Sequence, residues 1–389
     1  MTTQAQSTAE GVLDAVRELA PSVRARAEEF EATRCMPADL FDELKAAGVW
    51  RLLTPRSHGG LQAGLLPSID LLETLAIADG STAWTTMIGL ETPQILSLLP
   101  RETYDQVYGA GPDVTAGGSF MPIGQARVTD GGYRITGRWP FASGCQRWDW
   151  LLGNCVVLED GQPRTAPTGQ PETRAAVFPA EEMRIEDTWH TLGMRGTGSH
   201  HIAIDDAFAP EERTLDIFMG RPSVEGVARY PIIDFHFHIT IIAIGIARAA
   251  LEEVVEAAKT KQRFSMRTTL ARTPLIQHRL GRAEIALRAA RAFLYTEAER
   301  ASAAMKSGTE DFLSLAVRVW ANHAWIAQTC ADVVETCYSA HGASGIYDGS
   351  PLQRYVRDMQ TICQHSALNE NSSTRAGAAL LGEPVDMTF

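Results

Sequence analysis

What is scarce in this 389-residue chain narrows its chemistry first. The six cysteines, Cys35, Cys145, Cys155, Cys330, Cys337 and Cys363, are scattered, and no two form a Cys-x-x-Cys pair. A zinc ribbon or dithiol redox centre is therefore not expected, and the thiols read as reduced. Positive charge is in deficit, 35 Lys+Arg against 47 Asp+Glu for a net −12. That balance argues against nucleic acid or an anionic membrane surface as a partner, while leaving room for a local basic pocket. The longest apolar run, 239–250, is short and interrupted for a bilayer span. The first residues, Met1-Thr-Thr-Gln-Ala-Gln-Ser7, lack the basic-then-apolar pattern of a secretion signal. No Gly-x-Gly-x-x-Gly follows a strand-like segment, so no Rossmann nicotinamide site is expected. Internal repeats and low-complexity tails are absent too. These absences imply a cytoplasmic globular protein, consistent with 45% hydrophobic and 21% charged residues.

What is present falls into three textures. Up to about residue 110, apolar residues recur at helical spacing. The first helix reads as 9–33, with Val12, Val16, Leu19 and Val23 along one face. Others read as 37–47, as 66–78, and as a helix from near Thr82 with Ser81 as N-cap. From 114 to about 215 turn signals come often, and short strands read at 133–136, 150–158 and 201–204. They suggest a small β-barrel or sandwich, with 160–173 as a surface loop. The helical period returns in 239–258, 274–304 and 312–338. Domains are accordingly placed at 1–112, 113–220 and 221–389.

Near the C-terminus a helix ends at about Ala340, and a Gly/Ser loop over 342–350 can bring backbone close to a ligand. A second helix opens at Pro351 and carries Arg354, Arg357 and Asp358, with His365 beyond it. Further back, Phe235-His-Phe-His-Ile239 has period two, which would put His236 and His238 on one face of a strand. A metal there is conceivable, but no third ligand lies at a supporting spacing. The pair reads as a pocket wall, and no metal is expected.

Gly342-x-x-Gly345, followed by Pro351-x-x-Arg354-x-x-Arg357-Asp358, resembles the C-terminal signature of the acyl-CoA dehydrogenase superfamily. Tyr133-Arg-Ile-Thr-Gly-Arg-Trp139, Thr188 to Ser199, Ile204 to Pro210, and Lys261-Gln-Arg-Phe264 with Gln277 resemble its other segments in the same order. The resemblance covers nearly the whole chain. It implies a mainly α fold with a central β-domain: an N-terminal helical domain, a middle barrel or sandwich, and a C-terminal four-helix bundle. In the dehydrogenases the catalytic glutamate sits eight residues after the Asp of Arg-Asp. Here that place is Ser366, with His365 beside it. Gly80-Ser-Thr-Ala-Trp84 and Gly137-Arg-Trp-Pro-Phe-Ala-Ser-Gly144 are instead similar to the oxygenase components of two-component flavin monooxygenases. One departure stands out. Several members place a His soon after the first motif, where this chain has Met87-Ile-Gly-Leu-Glu91. That leaves a substrate contact missing, or supplied by His236 or His238.

The resemblance implies reduced flavin (FADH2 or FMNH2), O2, a C4a-hydroperoxyflavin and a separate NAD(P)H:flavin reductase. It also implies a homotetramer or dimer. Ser143 would lie near flavin N5. A hydroxyl both donates and accepts, so it can hold the N5–H. His365 would lie near the oxygen adduct, donating to the peroxide or taking a proton from the substrate. The cofactor wall is read as Trp139, Phe141, Ser143, Gly144, Gly118, Ser119, Gly342 and a phosphate-pairing Arg263. The substrate wall is read as Trp84, Glu91, His236 and His238. His200 and His201 read as structural or flavin-proximal. The substrate reads as a small aromatic or heteroaromatic molecule, with N-oxygenation of an amine or amino sugar as the alternative. A dehydrogenase-like flavoenzyme and a non-catalytic binding scaffold are the other classes.

Overall fold

Val12, Val16 and Val23 recur at helical spacing and all three are buried, which is what docks the first helix. The computed structural model describes residues 8–166, 169–218, 220–262 and 268–385. In it the helix is α1 (Ala9–Ala25), and Thr8 caps it by accepting from the Gly11 amide. The periodicity predicts one helix to 33, but the chain leaves helical geometry at Arg26 (φ −100°, ψ 3°) and restarts as α2 (Ala27–Thr33). Next come α3 (Ala38–Ala46), α4 (Leu65–Ala78), α5 (Gly80–Leu96) and α6 (Arg101–Val107). Asp79 caps α5, not Ser81. Its carboxylate accepts from the Thr82 amide at 2.7 Å and the Thr82 hydroxyl at 2.8 Å, because the helix already begins at Gly80.

Among the described residues the middle segment forms one eight-stranded sheet, the central β-domain of the expected fold. Its strands are β1 (Ala116–Thr129), β2 (Gly132–Trp139), β3 (Trp150–Glu159), β4 (Gln162–Pro163), β5 (Thr173–Pro179), β6 (Arg184–Glu186), β7 (His201–Pro210) and β8 (Thr214–Leu215). The order is β6-β7-β2-β1-β3-β5-β8, with β4 beside β3. Every pairing is antiparallel except β1 with β3. Two tryptophans lock this sheet. The Trp139 indole fills a slot where a Cβ on Gly124, Gly137 or Gly153 would come within 2.3–2.6 Å of it. Trp148 fills a second slot, bounded by Gly89 of α5, Gly117 of β1 and Gly144. The second slot joins the sheet to the N-terminal helices.

The C-terminal helices are α7 (Pro231–Thr260), α8 (Pro274–Ser307), α9 (Phe312–His341), α10 (Pro351–Ile362) and α11 (Asn371–Leu381). Proline opens α7, α8 and α10, where its missing N–H costs nothing. The period-two reading of 235–239 is overturned, since those residues lie inside α7. An all-apolar helix shows no clear period, so alternation there carries no strand signal. The apolar run also proves longer than it reads. By length and composition α7 is apolar enough to cross a membrane, but it packs on α4, α5, α8, α9 and α10 and is buried by them. Each buried Ile or Phe on it contributes roughly 1.5–3 kcal/mol.

The Arg-Asp signature ties three regions together. Asp358 Oδ1 on α10 accepts from the Met194 amide at 2.5 Å, in the loop before β7. Arg357 donates to the Leu192 carbonyl at 2.8 Å and pairs with Glu31 of α2. The Arg354 guanidinium lies in the field of both Asp79 and Asp358. Gly193 passes so close to α10 that a Cβ would meet the Arg357 carbonyl oxygen at 2.2 Å.

Burial pushes the Asp358 carboxyl up from 3.8 to about 7. The folded state therefore binds this proton more tightly than the unfolded state does. The contribution is full below 3.8 and is lost as pH rises through about 7. Asp358→Asn keeps the acceptor and abolishes the charge. It should fold as well as the native chain at neutral pH, and denaturant titrations should show the native chain losing stability relative to it as pH rises. Asp358→Ala strands the Met194 amide and should cost about 1–3 kcal/mol. A native-minus-Asn difference that does not change with pH would contradict this.

Candidate active site

The loop between β2 and β3 is clamped to the loop before β7. The Ala142 amide donates to the His200 carbonyl at 3.1 Å and the Gly144 amide to the Thr197 carbonyl at 2.8 Å. Trp148 Nε1 donates to the Ser143 carbonyl at 2.8 Å. Between these clamps runs a buried line of hydroxyls, with Ser143 Oγ 2.6 Å from Ser199 Oγ and Ser199 Oγ 2.7 Å from Thr197 Oγ1. Its direction follows from counting protons, because each hydroxyl has one. Thr197 donates to the Met194 carbonyl at 2.8 Å, so it accepts from Ser199. Ser199 then accepts from Ser143, and Ser143 accepts from Trp84 Nε1 at 3.0 Å. Ser143 Oγ is left with one free lone pair and no free proton.

Trp84 joins this line to the far end of the chain. Its ring meets His365 edge-on, with centroids 5.6 Å apart, and Phe235 of α7 lies 5.9 Å from the same imidazole. His365 follows α10 and caps a short 3-10 turn over Ser366–Leu368, where its Nδ1 accepts from the Ala367 amide at 3.2 Å. A neutral ring that accepts at Nδ1 carries its proton on Nε2. Burial lowers the imidazole from 6.5 to about 4, so it is neutral at ordinary pH. It can donate from Nε2. Taking up a proton there would first require losing the one it holds. Ser366 is exposed on the turn and bears no carboxylate.

Beyond Phe235 lies a second polar group. His238 Nδ1 meets Glu91 Oε1, and Nε2 lies 2.6 Å from Ser68 Oγ of α4. Burial raises the carboxyls of Glu91 and Asp234, the latter to about 7. His236 does not share this face, because two residues apart on a helix stand about 200° apart. Its Nδ1 donates to the Ile232 carbonyl at 3.0 Å, and its ring stacks on Trp320 of α9 with His323 nearby. The pocket-wall expectation therefore meets α5 and α4 at His238, while His236 lies in the α7/α9 interface. Among the described residues no three metal-ligating side chains gather.

The expected cofactor wall divides. Trp139 is fully buried in its glycine slot, with Nε1 donating to the Asn154 carbonyl at 2.6 Å, so it is core and offers no stacking face. Gly144 makes room for Trp148, and Gly118 is required because a Cβ would meet the Leu152 carbonyl at 2.0 Å. Packing explains both glycines. Ser119 is buried beside them, where the β1–β3 register shifts. Gly342 caps α9 with φ 80° and open space where a Cβ would stand. His200 is structural, accepting from the Thr188 and Trp189 amides. Arg263 lies outside the described residues. Phe141 differs from all of these. It holds a left-handed φ of 64°, uncommon without glycine, and is 59% exposed with Trp189 edge-on at 6.2 Å. A strained, exposed ring beside a buried lone acceptor fits a planar heteroaromatic group with an N–H turned toward Ser143.

Ser199, Thr197, Ser68 and Asp234 are not among the residues that the sequence singles out, whereas Phe235 lies in the Phe-rich segment 235–244 that suits an aromatic substrate. The Gly196-Thr-Gly-Ser199 motif was a signal for the first two. No local pattern marks Ser68 or Asp234.

Comparison with known proteins places this geometry. The model described as "Acyl-CoA dehydrogenase, N-terminal domain" matches residues 6–99, and "Acyl-CoA dehydrogenase, C-terminal domain" matches 237–370. An indole-3-acetate monooxygenase of Pseudomonas putida is 35% identical, over 96% of this chain and 93% of its own. A flavin-dependent monooxygenase oxygenase subunit, HsaA, of Rhodococcus jostii is 29% identical over 95% and 98%. The crystal structure of 3-HSA hydroxylase from Rhodococcus sp. RHA1 superposes with a TM-score of 0.87 at 27% identity, covering 97% of this chain and 98% of that one.

The His365 ring should titrate near 4 when followed by NMR, well below the ordinary 6.5. Because the folded ring resists protonation, it contributes stability that is lost as pH falls below 6.5 toward about 4. His365→Gln should remove that part of the acid sensitivity. A ring titrating at 6.5 would mean that it is solvated.

Proposed function

The chain belongs to the acyl-CoA dehydrogenase family, and on that premise we propose that it is the oxygenase component of a two-component flavin-dependent monooxygenase, hydroxylating a small aromatic or heteroaromatic substrate. It takes reduced flavin from a separate NAD(P)H:flavin reductase, and O2 as co-substrate. The observation that carries this reading is the direction of the hydroxyl line. When bound, a reduced flavin supplies the two electrons that divide O2 between one product oxygen and one water.

The chain's own residues do the rest. Ser143 Oγ, with only a lone pair free, accepts the N5–H that the reduced cofactor has and the oxidised one lacks. The neutral His365 donates its Nε2–H on the reacting side, held by the Ala367 amide and by Trp84. Trp84, Phe235 and the buried α5–α7 interface exclude water there. Phe141, exposed at a left-handed φ on the loop before Ser143, would offer its ring to the bound cofactor. A dehydrogenase reading lacks its base, since Ser366 is exposed and uncharged.

Ile285 on α8 and Leu313 and Trp325 on α9 are exposed apolar side chains suited to a second copy. A cytoplasmic homotetramer or dimer follows as part of the proposal. Light scattering on the purified chain tests that assembly, and a monomer would contradict it.

The purified chain alone should leave NADH and NADPH unoxidised, and product should appear once a flavin reductase and free flavin are added. Stoichiometric NAD(P)H oxidation by the chain alone would refute the reading. Reduced flavin should bind more tightly than oxidised flavin. Ser143→Ala should shrink that preference by roughly five- to tenfold, the value of about one neutral hydrogen bond. Ser199→Ala should also shrink it, because the freed Ser143 proton can then turn toward a bare N5. An unchanged preference in both variants would place the cofactor elsewhere.

A further inference from the structure

Counting protons at the second polar group gives a second direction. Ser68 has one hydroxyl proton, and it goes to the Leu65 carbonyl at 2.7 Å. Ser68 must then accept from His238, so the proton on that imidazole's far side sits on Nε2. On the near side, one proton lies between His238 Nδ1 and Glu91 Oε1. Whichever atom owns it, Glu91 Oε2 is left able only to accept. That oxygen is buried without a partner, in a residue 5% exposed. Four residues before His238 on α7, Asp234 Oδ1 is also buried without a partner. Two stranded carboxylate oxygens in one place are costly unless a ligand meets them.

Their place relative to the reacting end is set by two helices. Glu91 stands two turns beyond Trp84 on α5, about 10 Å along the axis and within roughly 20° of the same face. Asp234 and His238 flank Phe235, which touches His365 at one side and lies 5.8 Å from Phe120 at the other. Trp84 on α5 and Phe235 on α7 thus link the His365 imidazole to the two helices that carry the unpartnered oxygens of Glu91 and Asp234. Among the described residues His238 is the basic group that faces this end, with no Lys or Arg acting on either carboxyl. Glu91 lies in the field of His238 alone, and Asp234 in those of His238 and Glu91.

We propose that Glu91 Oε2, oriented by the Ser68–His238 pair and with Asp234 beside it, recognises an N–H or O–H donor on an aromatic substrate. The substrate is then a phenol or an N–H heteroaromatic such as an indole. Its donor sits at Glu91 and its reacting carbon lies toward His365. A carboxylate on the same molecule must point away from this end, where two carboxyl groups stand and His238 is already engaged by Glu91. The inference rests on the monooxygenase reading above and names that site's substrate chemistry.

Calorimetric titration of the purified chain, flavin-free and with reduced flavin under anaerobic conditions, tests it with indole against 1-methylindole and phenol against anisole. The donor of each pair should bind roughly five- to tenfold more tightly, the value of about one hydrogen bond. Glu91→Leu should bring both ratios close to one. Glu91→Gln should keep the preference in weaker form, because its amide can donate to His238 Nδ1 and still present an oxygen to the ligand. Equal binding of indole and 1-methylindole by the native chain overturns the proposal, as does a preference that survives in Glu91→Leu. If Glu91→Leu does not fold, the native ratios and Glu91→Gln still decide. Reduced flavin that binds, together with equal turnover of both indoles, removes this inference and leaves the monooxygenase reading standing. Failure to bind reduced flavin removes that reading, while the flavin-free titration still reports on Glu91.

Discussion

The contact between Asp358 and the Met194 amide is the constraint from which the rest of the site follows. It pins the loop before β7 to α10. The Met194 carbonyl then terminates the hydroxyl line by accepting from Thr197. Ser199 and Ser143 take their direction from that end, and Trp84 takes its place from Ser143. Trp84 in turn packs on His365, which sits just past the end of the helix that carries Asp358. The circuit passes through the N-terminal helices, the sheet and the C-terminal bundle. A shift in any one of these would reverse or open the hydroxyl line. This explains why an Arg-Asp motif can persist where the dehydrogenase glutamate does not. The motif assembles the scaffold on which Ser143, Trp84 and His365 are mounted.

A second theme is charge suppressed by burial. His365 and His236 are lowered to about 4 and His323 to about 3, while Asp234 and Asp358 are raised to about 7. Desolvation is the leading cause in each case, and it favours the neutral form of acid and base alike. Polarity in such an interior is set by which atom holds the single proton between two heavy atoms. Ser143 and Glu91 are each left accepting by that rule, seven residues of α5 separating Glu91 from the Trp84 that donates to Ser143. A dry site whose groups hold fixed proton positions has little reorganising to do when a reaction begins.

The aromatics show where reading by residue type stops. Trp139 and Phe141 lie two residues apart in one motif, and both suit a flavin wall by chemistry. Trp139 is consumed by a slot made from Gly124, Gly137 and Gly153, whose strands become neighbours only when the sheet forms. Phe141, at a left-handed φ on the following loop, stays exposed. Likewise His236 and His238 read as a pair by period two. The helix turns one toward Trp320 and the other toward Glu91.

The sequence by itself determined the helical, β, helical order, most of the helix positions and the family signature. These are local matters: capping and stopping residues, periodicity, and short motifs whose backbone geometry is decided within a few residues. It also determined that no carboxylate stands at the dehydrogenase position, because that is a question of residue identity. Only the tertiary structure decided that the β segment is one sheet, that α5 is capped by Asp79, and that Trp139 is core. The direction of the hydroxyl line and the stranded oxygens of Glu91 and Asp234 also belong to it. The hydroxyl line and the Glu91 group in particular draw on partners far apart in the chain, as in Ser143–Ser199 at 56 residues and Ser68–His238 at 170. Hydrogen-bond polarity belongs to the pair and its neighbours together, so no single position in the chain can encode it alone.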